Sequence, residues 1–284
     1  MAYGDLNLRS ERVKMKEDTY IGIIPARYQS SRFLGKPLCD ILGKPMIQRT
    51  YESVKSWGKW KSVWVATDSK EIYDKCMELN IPVYITKDTH TDCLDRAAEM
   101  VEILEKNHIG GDKYIVVQGD EPLFNVDTLN VDMSPSIVNF YTEVHDQYDK
   151  YDSNAVKVVV SKNEKALYFS RYSIPYHDEN TKRTNDEPVI LKQIGVYVFT
   201  GEMLKLYNSL KQTSLENMEG IGLNRLIEND IEVHMRYTSN DSISVDTPED
   251  RNRIIKIIKK YHEEAGGSID DNGNITNCDG HRLP

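Results

Sequence analysis

Cysteine is scarce, with four residues in a chain of 284. Cys39, Cys76, Cys93 and Cys278 form no CxxC pair and no zinc-like spacing, so neither a disulfide framework nor a structural zinc centre is expected. They read as free thiols in a reducing compartment. No apolar run approaches the ~18 residues of a membrane helix, and the N-terminus lacks the apolar region of a signal peptide. A soluble, cytoplasmic protein without a membrane partner is the expectation. The sequence also lacks a Walker GxxxxGK-Ser/Thr loop, internal repeats and any linker long enough to separate independent domains. Basic residues are the minority, 36 Lys and Arg against 45 Asp and Glu, giving a formal charge of −9. Nucleic acid is therefore not an expected partner, and any phosphate binding must rest on cations concentrated locally. The length suits one large α/β domain, or one with an appended lobe, and is enough to bury a sizeable core.

The chain is organised around Ile21 to Lys36, IGIIPARYQSSRFLGK. A short Ile-rich run stopped by Pro25 reads as a buried strand. The polar loop that follows would leave the strand's carboxyl end, where open α/β sheets bind ligands. It carries Arg27, Arg32 and Lys36, with Ser30, Ser31 and Gly35 between them. Guanidinium forks chelate phosphate oxygens, and small residues let backbone amides approach, so a polyphosphate would fit. On spacing alone, a solvated basic loop is the commoner explanation.

Downstream, Pro45 opens a helix, Ser62–Ala66 is a second strand, and Thr67-Asp68-Ser69 is a turn with a helix N-cap. A helix over Ser69–Leu79, a strand at Val83–Ile85, a helix over about Asp92–Lys106 and a strand at Tyr114–Gln118 continue the alternation. That rhythm implies a parallel sheet with right-handed crossovers. The last strand runs into Gln118-Gly119-Asp120-Glu121-Pro122, placing acids at the ligand crevice. A carboxylate there can hold Mg²⁺, although an ordinary Asp turn explains GDEP equally well. From 126 to 153 the pattern weakens, and only Ile137–Tyr141 looks strand-like. Strands are expected at Ala155–Val160, Ile194–Thr200 and Ile231–Tyr237, one helical stretch over Leu215–Glu228, and a loop over His177–Glu187. Thr247 as N-cap and Pro248 as first residue start a final helix to about Glu264. Residues 1–18 read as a polar leader, 19–265 as the functional domain, and 266–284 as a loose Gly/Asn/Asp-rich tail.

Together the segments IIPARYQSSR with GKPL, GKPMI, VATD, VQGDEP, NAVKVV, ALYFSR, GVYVF and VDTPED resemble the CMP-Kdo synthetases, or 3-deoxy-manno-octulosonate cytidylyltransferases. Each piece is weak alone, but they follow the family's order over about Ile21 to Lys259. The resemblance implies an α/β, Rossmann-like nucleotidyltransferase fold: a mostly parallel mixed sheet flanked by helices. A smaller acceptor-binding and dimerisation lobe would lie within about 154–240, and the protein would be a homodimer. It implies CMP transfer from CTP to Kdo or a close analogue, releasing pyrophosphate, with Mg²⁺ as cofactor. By this resemblance Arg27, Ser30, Arg32 and Lys36 hold the triphosphate, and Ala26, Arg96 and Gln118 complete the nucleotide set. Asp120 and Asp246 share the metal and, with Arg27 and Lys36, carry catalysis. Gln118, Arg171, Gln193, Tyr197, Glu219 and Arg225 face the acceptor, with Arg171 pairing its carboxylate bidentately.

The chain departs from the family's pattern in four places. LPGK is Phe33-Leu34-Gly35-Lys36, and the Ser-Gly-Thr-Glu-Arg run near the nucleotide is Asp92-Cys93-Leu94-Asp95-Arg96. A family histidine appears as Gln193, and LExxExLEQLR becomes Leu215 to Arg225 with Gly222 in place of a glutamate. The last two changes remove hydrogen-bond partners for acceptor hydroxyls. The expected acceptor is therefore Kdo or an analogue altered in its hydroxyl or tail substituents. Another small anion, such as a phosphonate or a different acid sugar, is the alternative. A non-catalytic nucleotide-binding relative is a third reading, opposed by the presence of both aspartates.

Overall fold

The computed structural model describes residues 18–264 except 31, 145–146 and 177–188, together with 268–269, 275–276 and 282–283. Ser31, the loop over 177–187 and nearly all of the leader lie outside the described residues. The first half alternates as the Ile-rich runs and local caps require. β1 (Tyr20–Ala26) is followed by a small hairpin of β2 (Asp40–Ile41) and β3 (Lys44–Pro45). Next come α1 (Met46–Lys55), β4 (Trp60–Thr67), α2 (Lys70–Glu78), β5 (Val83–Ile85), α3 (Cys93–Lys106) and β6 (Lys113–Val117). The caps are side-chain oxygens satisfying otherwise unpaired amides: Ser69 accepts from Ile72 N at 3.3 Å and Asp92 from Asp95 N at 2.8 Å.

The second half is less regular. It comprises β7 (Ile137–Glu143), α4 (Gln147–Tyr151), β8 (Lys157–Val160), β9 (Ala166–Ser170) and β10 (Leu191–Phe199). α5 (Gly201–Ser209), α6 (Ser214–Glu219), α7 (Leu223–Glu228), β11 (His234–Tyr237) and α8 (Pro248–Glu264) follow. α5 is absent from the sequence reading. The single helix expected over 215–228 is two, because Gly220 takes the left-handed conformation at φ 63° and ends the first. In the tail, which was expected to be loose, β12 (Ser268–Ile269), β13 (Ile275–Thr276) and β14 (Arg282–Leu283) form a three-stranded antiparallel sheet.

The main sheet runs β11-β7-β10-β6-β1-β4-β5, with β8 and β9 attached at β10. β6, β1, β4 and β5 are mutually parallel, and β10 is antiparallel to both β6 and β7. This is the mixed α/β sheet anticipated. Successive residues of β1 point to opposite faces: Ile21 and Ile23 join one buried cluster with α3 and α5, and Ile24 and Ala26 join another with α1 and α2. A third cluster, Ile41, Met46, Val245, Ile254 and Ile258, seats α8 beside the carboxyl edge of the sheet.

One irregularity shapes the functional edge. The register of β10 against β7 slips between Ile194 and Tyr197, so the intervening residues bulge. Fully buried Asn139 holds the bulge, donating to Ile194 O at 3.0 Å and Val196 O at 2.7 Å while accepting from Gln193 Nε2 at 3.0 Å. Asn139→Ala should leave these carbonyls without their donor, at about 1–3 kcal/mol for each buried group stranded. The expected outcome is a lower urea midpoint with an unchanged m-value, measured by equilibrium unfolding.

Candidate active site

A cavity of ≈ 620 Å³ opens along the carboxyl edge of the sheet. Its floor is the exits of β1 and β6, which approach closely: a Cβ on Gly119 would stand 2.7 Å from Pro25 O, so only glycine fits the turn. From β1 the chain passes through exposed Arg27 to Gly35, whose φ of 67° and amide bond to Tyr28 O (3.0 Å) close the loop. The turn Lys36–Leu38 then directs Lys36 inward. Ala26, Arg27, Ser30, Arg32 and Lys36 all line the cavity.

Two aspartates meet there from opposite ends of the chain. Val245 N donates to Asp120 O at 2.9 Å, pinning the segment before α8 to the exit of β6. Asp250 Oδ2 accepts from Asp246 N (3.1 Å), Thr247 N (2.9 Å) and Thr247 Oγ1 (2.8 Å), which fixes the turn carrying Asp246. Lys36 Nζ sits between the two carboxylates, 2.7 Å from Asp120 Oδ2 and 3.1 Å from Asp246 Oδ1. Burial works against this ammonium, but the Asp120 and Asp246 charges outweigh it and hold its pKa above the ordinary lysine value. Arg32 Nη2 reaches Asp246 Oδ1 at 2.9 Å, and its Nη1 donates to Asn154 across the mouth.

Asp120 Oδ1 is buried without a hydrogen-bond partner. A stranded carboxylate oxygen beside a second carboxylate suits a hard divalent cation. Among the described residues no group of three or more His, Cys, Asp and Glu forms a metal cage. That donor set matches an ion held by one or two carboxylates, with water and phosphate completing its shell. Glu121, next in the chain, is buried, and burial with the neighbouring Asp120 charge pushes its pKa up to about 8. It is thus mostly protonated at neutral pH and adds little negative charge to the pair.

The acceptor-facing set divides. Gln118, Arg171, Gln193 and Tyr197 line the cavity, and Gln118 Nε2 donates to Tyr197 Oη at 2.9 Å. Arg171 spends three of its five N–H groups on carbonyls: Nε on Glu219 O (2.7 Å), Nη1 on Ser153 O (2.9 Å) and Nη2 on Gly220 O (3.2 Å). Glu219 is not a wall of the cavity. Its carboxylate accepts from Tyr168 Oη (2.6 Å), Ser170 Oγ (2.8 Å) and Arg171 N (2.9 Å), bracing the end of β9. Arg225 is buried behind the wall, and all five of its N–H groups are spent, on Glu216, Asp95 and Tyr207 O. Its expected contact with the acceptor is corrected to a buried ion network joining α3, α6 and α7. Arg96 lines the cavity, yet its guanidinium is engaged by Asp68 (2.7 Å), Thr86 Oγ1 (2.6 Å) and Lys87 O (3.2 Å).

Sequence reasoning missed Lys192. This cavity-lining lysine is buried and paired with Asp149 at 2.8 Å and Asp241 at 2.6 Å. Its position one residue before Gln193 was the available signal, but alternation along the strand gives no hint of a buried lysine. The weakly patterned stretch before β8 also contributes Asp149, Asp152 and Asn154 to the wall.

The sequence profile of the family described as Cytidylyltransferase matches residues 21–236. The chain is 35% identical over 245 residues to the 3-deoxy-manno-octulosonate cytidylyltransferase of Syntrophobacter fumaroxidans, covering 84% of this chain and 96% of that protein. It is 36% identical over 256 residues to the mitochondrial 3-deoxy-manno-octulosonate cytidylyltransferase of Arabidopsis thaliana, covering 88% and 86%. Among solved structures, CMP:2-keto-3-deoxy-manno-octonic acid synthetase complexed with CTP aligns with a TM-score of 0.74 at 30% identity, over 86% of this chain and 99% of that one. HddC from Yersinia pseudotuberculosis aligns with a TM-score of 0.62 at 14% identity over 84% and 100%, a likeness of fold.

The Arg225 network generates a stability prediction. Arg225→Ala strands Asp95 and Glu216 as buried acids, and breaking such a pair costs about 3–5 kcal/mol. A matching loss in the free energy of unfolding, measured in denaturant, is expected. An unchanged midpoint would return Arg225 to the acceptor.

Proposed function

The chain belongs to the cytidylyltransferase family, among the 3-deoxy-manno-octulosonate cytidylyltransferases, and from that membership we infer that it transfers CMP from CTP to Kdo and releases pyrophosphate. The observation that carries the reading is Asp120 and Asp246 converging on Lys36 at one end of a cavity whose mouth is lined by Arg27 and Arg32.

In this reaction the acceptor's anomeric hydroxyl oxygen attacks the α-phosphorus of CTP. The new O–P bond forms as the bond to the β-phosphate bridging oxygen breaks, pyrophosphate leaves, and the hydroxyl proton is released. Catalysis is then mainly alignment and neutralisation of developing charge. Arg27, Arg32 and Lys36 supply positive charge to the triphosphate, with Ser30 a hydroxyl donor beside them. Arg171 keeps two N–H groups for a carboxylate after its three carbonyl bonds, and the Gln118–Tyr197 pair presents polar groups to the sugar. Asp120 and Asp246 would hold a divalent ion, which we propose is Mg²⁺. When bound, it would neutralise phosphate charge and orient the reacting oxygens.

Leu167, Tyr172 and Tyr176 are large side chains left exposed on and just beyond β9, whose strand partner among the described residues is β8. Those exposed side chains support a homodimer built through the lobe at about 154–240. Sedimentation as a monomer at micromolar concentration would remove the second copy. No helix among the described residues is long and apolar enough to cross a membrane.

The decisive assay is pyrophosphate release from CTP and Mg²⁺ with Kdo, beside other acid sugars and phosphonates. Turnover with Kdo above the rest is expected, and none with Kdo would overturn the assignment. In the same assay Asp120→Asn and Asp246→Asn should each abolish nearly all turnover while leaving the thermal melt in place, since an amide cannot neutralise a divalent ion. Chelation by EDTA should do the same reversibly.

A further inference from the structure

Gly222 has an ordinary right-handed helical backbone, φ −60° and ψ −33°, in which alanine would be at ease. Its lack of a side chain therefore does not serve a turn. The reason is space: a Cβ at this position would overlap Asp92 Oδ2 and Tyr207 Oη. Those two atoms are hydrogen-bonded to each other, Tyr207 donating. The other Asp92 oxygen accepts from Asp95 N at 2.8 Å, as the N-cap of α3.

Asp92, Cys93, Gly222 and Leu223 all line the cavity, as do Arg171 and Tyr197. The side chain of Asp92 retains 21% exposure, and the guanidinium of Arg225 lies 3.9 Å away with its five hydrogen bonds made elsewhere. The protein fills one acceptor site on each Asp92 oxygen, through Asp95 N and Tyr207 Oη, and a carboxylate offers about four in all. Three acids, Asp92, Asp95 and Glu216, surround the single cation Arg225, so the cluster has acceptor capacity to spare. The Asp92 carboxylate thus occupies the space where a side chain at 222 would begin.

We propose that Asp92, set by Tyr207 in the space left by Gly222, is an acceptor-specificity residue that takes a hydrogen bond from a hydroxyl of the sugar acid. The proposal rests on the cytidylyltransferase reading and deepens it. A site built around a substrate hydroxyl rejects analogues lacking it, because its own polar group is then stranded.

The test uses steady-state kinetics with CTP and either Kdo or Kdo analogues lacking one exocyclic hydroxyl. Asp92→Ser keeps a helix cap and removes the carboxylate. It should lower kcat/KM for Kdo by about 10- to 100-fold, the size of one hydrogen bond to a charged group. The loss should fall on the KM for Kdo, with the KM for CTP unchanged. One deoxy analogue, poor for the wild type, should lose its handicap in the variant. Asp92→Asn, which keeps one acceptor oxygen and the cap, should fall between the two. Gly222→Ala should reproduce the Kdo defect by displacing the carboxylate, and Tyr207→Phe should do so in part. An unchanged KM for Kdo in Asp92→Ser, or a change confined to CTP, would overturn the proposal and leave the enzymatic assignment standing. Absence of wild-type turnover with Kdo would overturn both.

Discussion

The Lys36 ammonium between the Asp120 and Asp246 carboxylates is the contact on which the site depends. Two carboxylates brought to one place repel each other unless a cation lies between them. Here that cation comes from the loop after β1, one acid from the turn after β6 and the other from the turn before α8. Bringing them together requires a glycine where β6 leaves the sheet, the Val245 amide bond to Asp120 O, and the apolar seat under α8. The pair is thus an outcome of sheet order as much as of residue type. Parallel β1 and β6 are neighbours, so their carboxyl ends open onto the same crevice.

The two ends of the cavity are built differently. At the cationic end, exposed or half-buried side chains on loops offer their charges directly to a ligand. At the other end the wall is set by buried networks that the ligand need not touch. Asn139 holds the β10 bulge that places Gln193 and Tyr197, Glu219 braces the strand end that carries Arg171, and Arg225 ties α3 to α6 and α7. Buried polar groups of this kind are costly unless every partner is present, which makes the wall stiff. Stiffness suits an acceptor pocket, where hydroxyl positions must be read individually. A triphosphate needs only sufficient positive charge within reach.

Much of this was legible in the sequence where the deciding physics is local. Ile-rich runs ended by proline or Thr-Asp-Ser become strands, since burial of β-branched residues and the turn that follows are set within a few positions. Ser69 and Thr247 cap their helices through bonds spanning three residues. Lys36 and Asp120 sit in short motifs just past strands, as the βα alternation implies, and Asp246 in the turn that opens α8. α5 escaped because Thr200, read as the end of a strand, is also the N-cap that accepts from Met203 N, and its amphipathic signal is short.

What only the tertiary structure decided are relations between residues far apart in the chain. Arg225 carries the same charge whether it meets a substrate carboxylate or Asp95, and a separation of 130 positions hides the answer. Lys192 sits in a strand with nothing local to announce Asp149 and Asp241. Gly222 reads in sequence as the loss of an acid, and becomes the room for one only when α3, α5 and α7 are packed together. The sequence by itself determined most of the first-half elements, the family they compose and the charged residues of the Lys36, Asp120 and Asp246 motifs. Those depend on propensity, periodicity and capping over a few residues. Which polar groups spend their hydrogen bonds on the protein, and which keep them for a ligand, was decided by packing, because that depends on partners brought close only by folding.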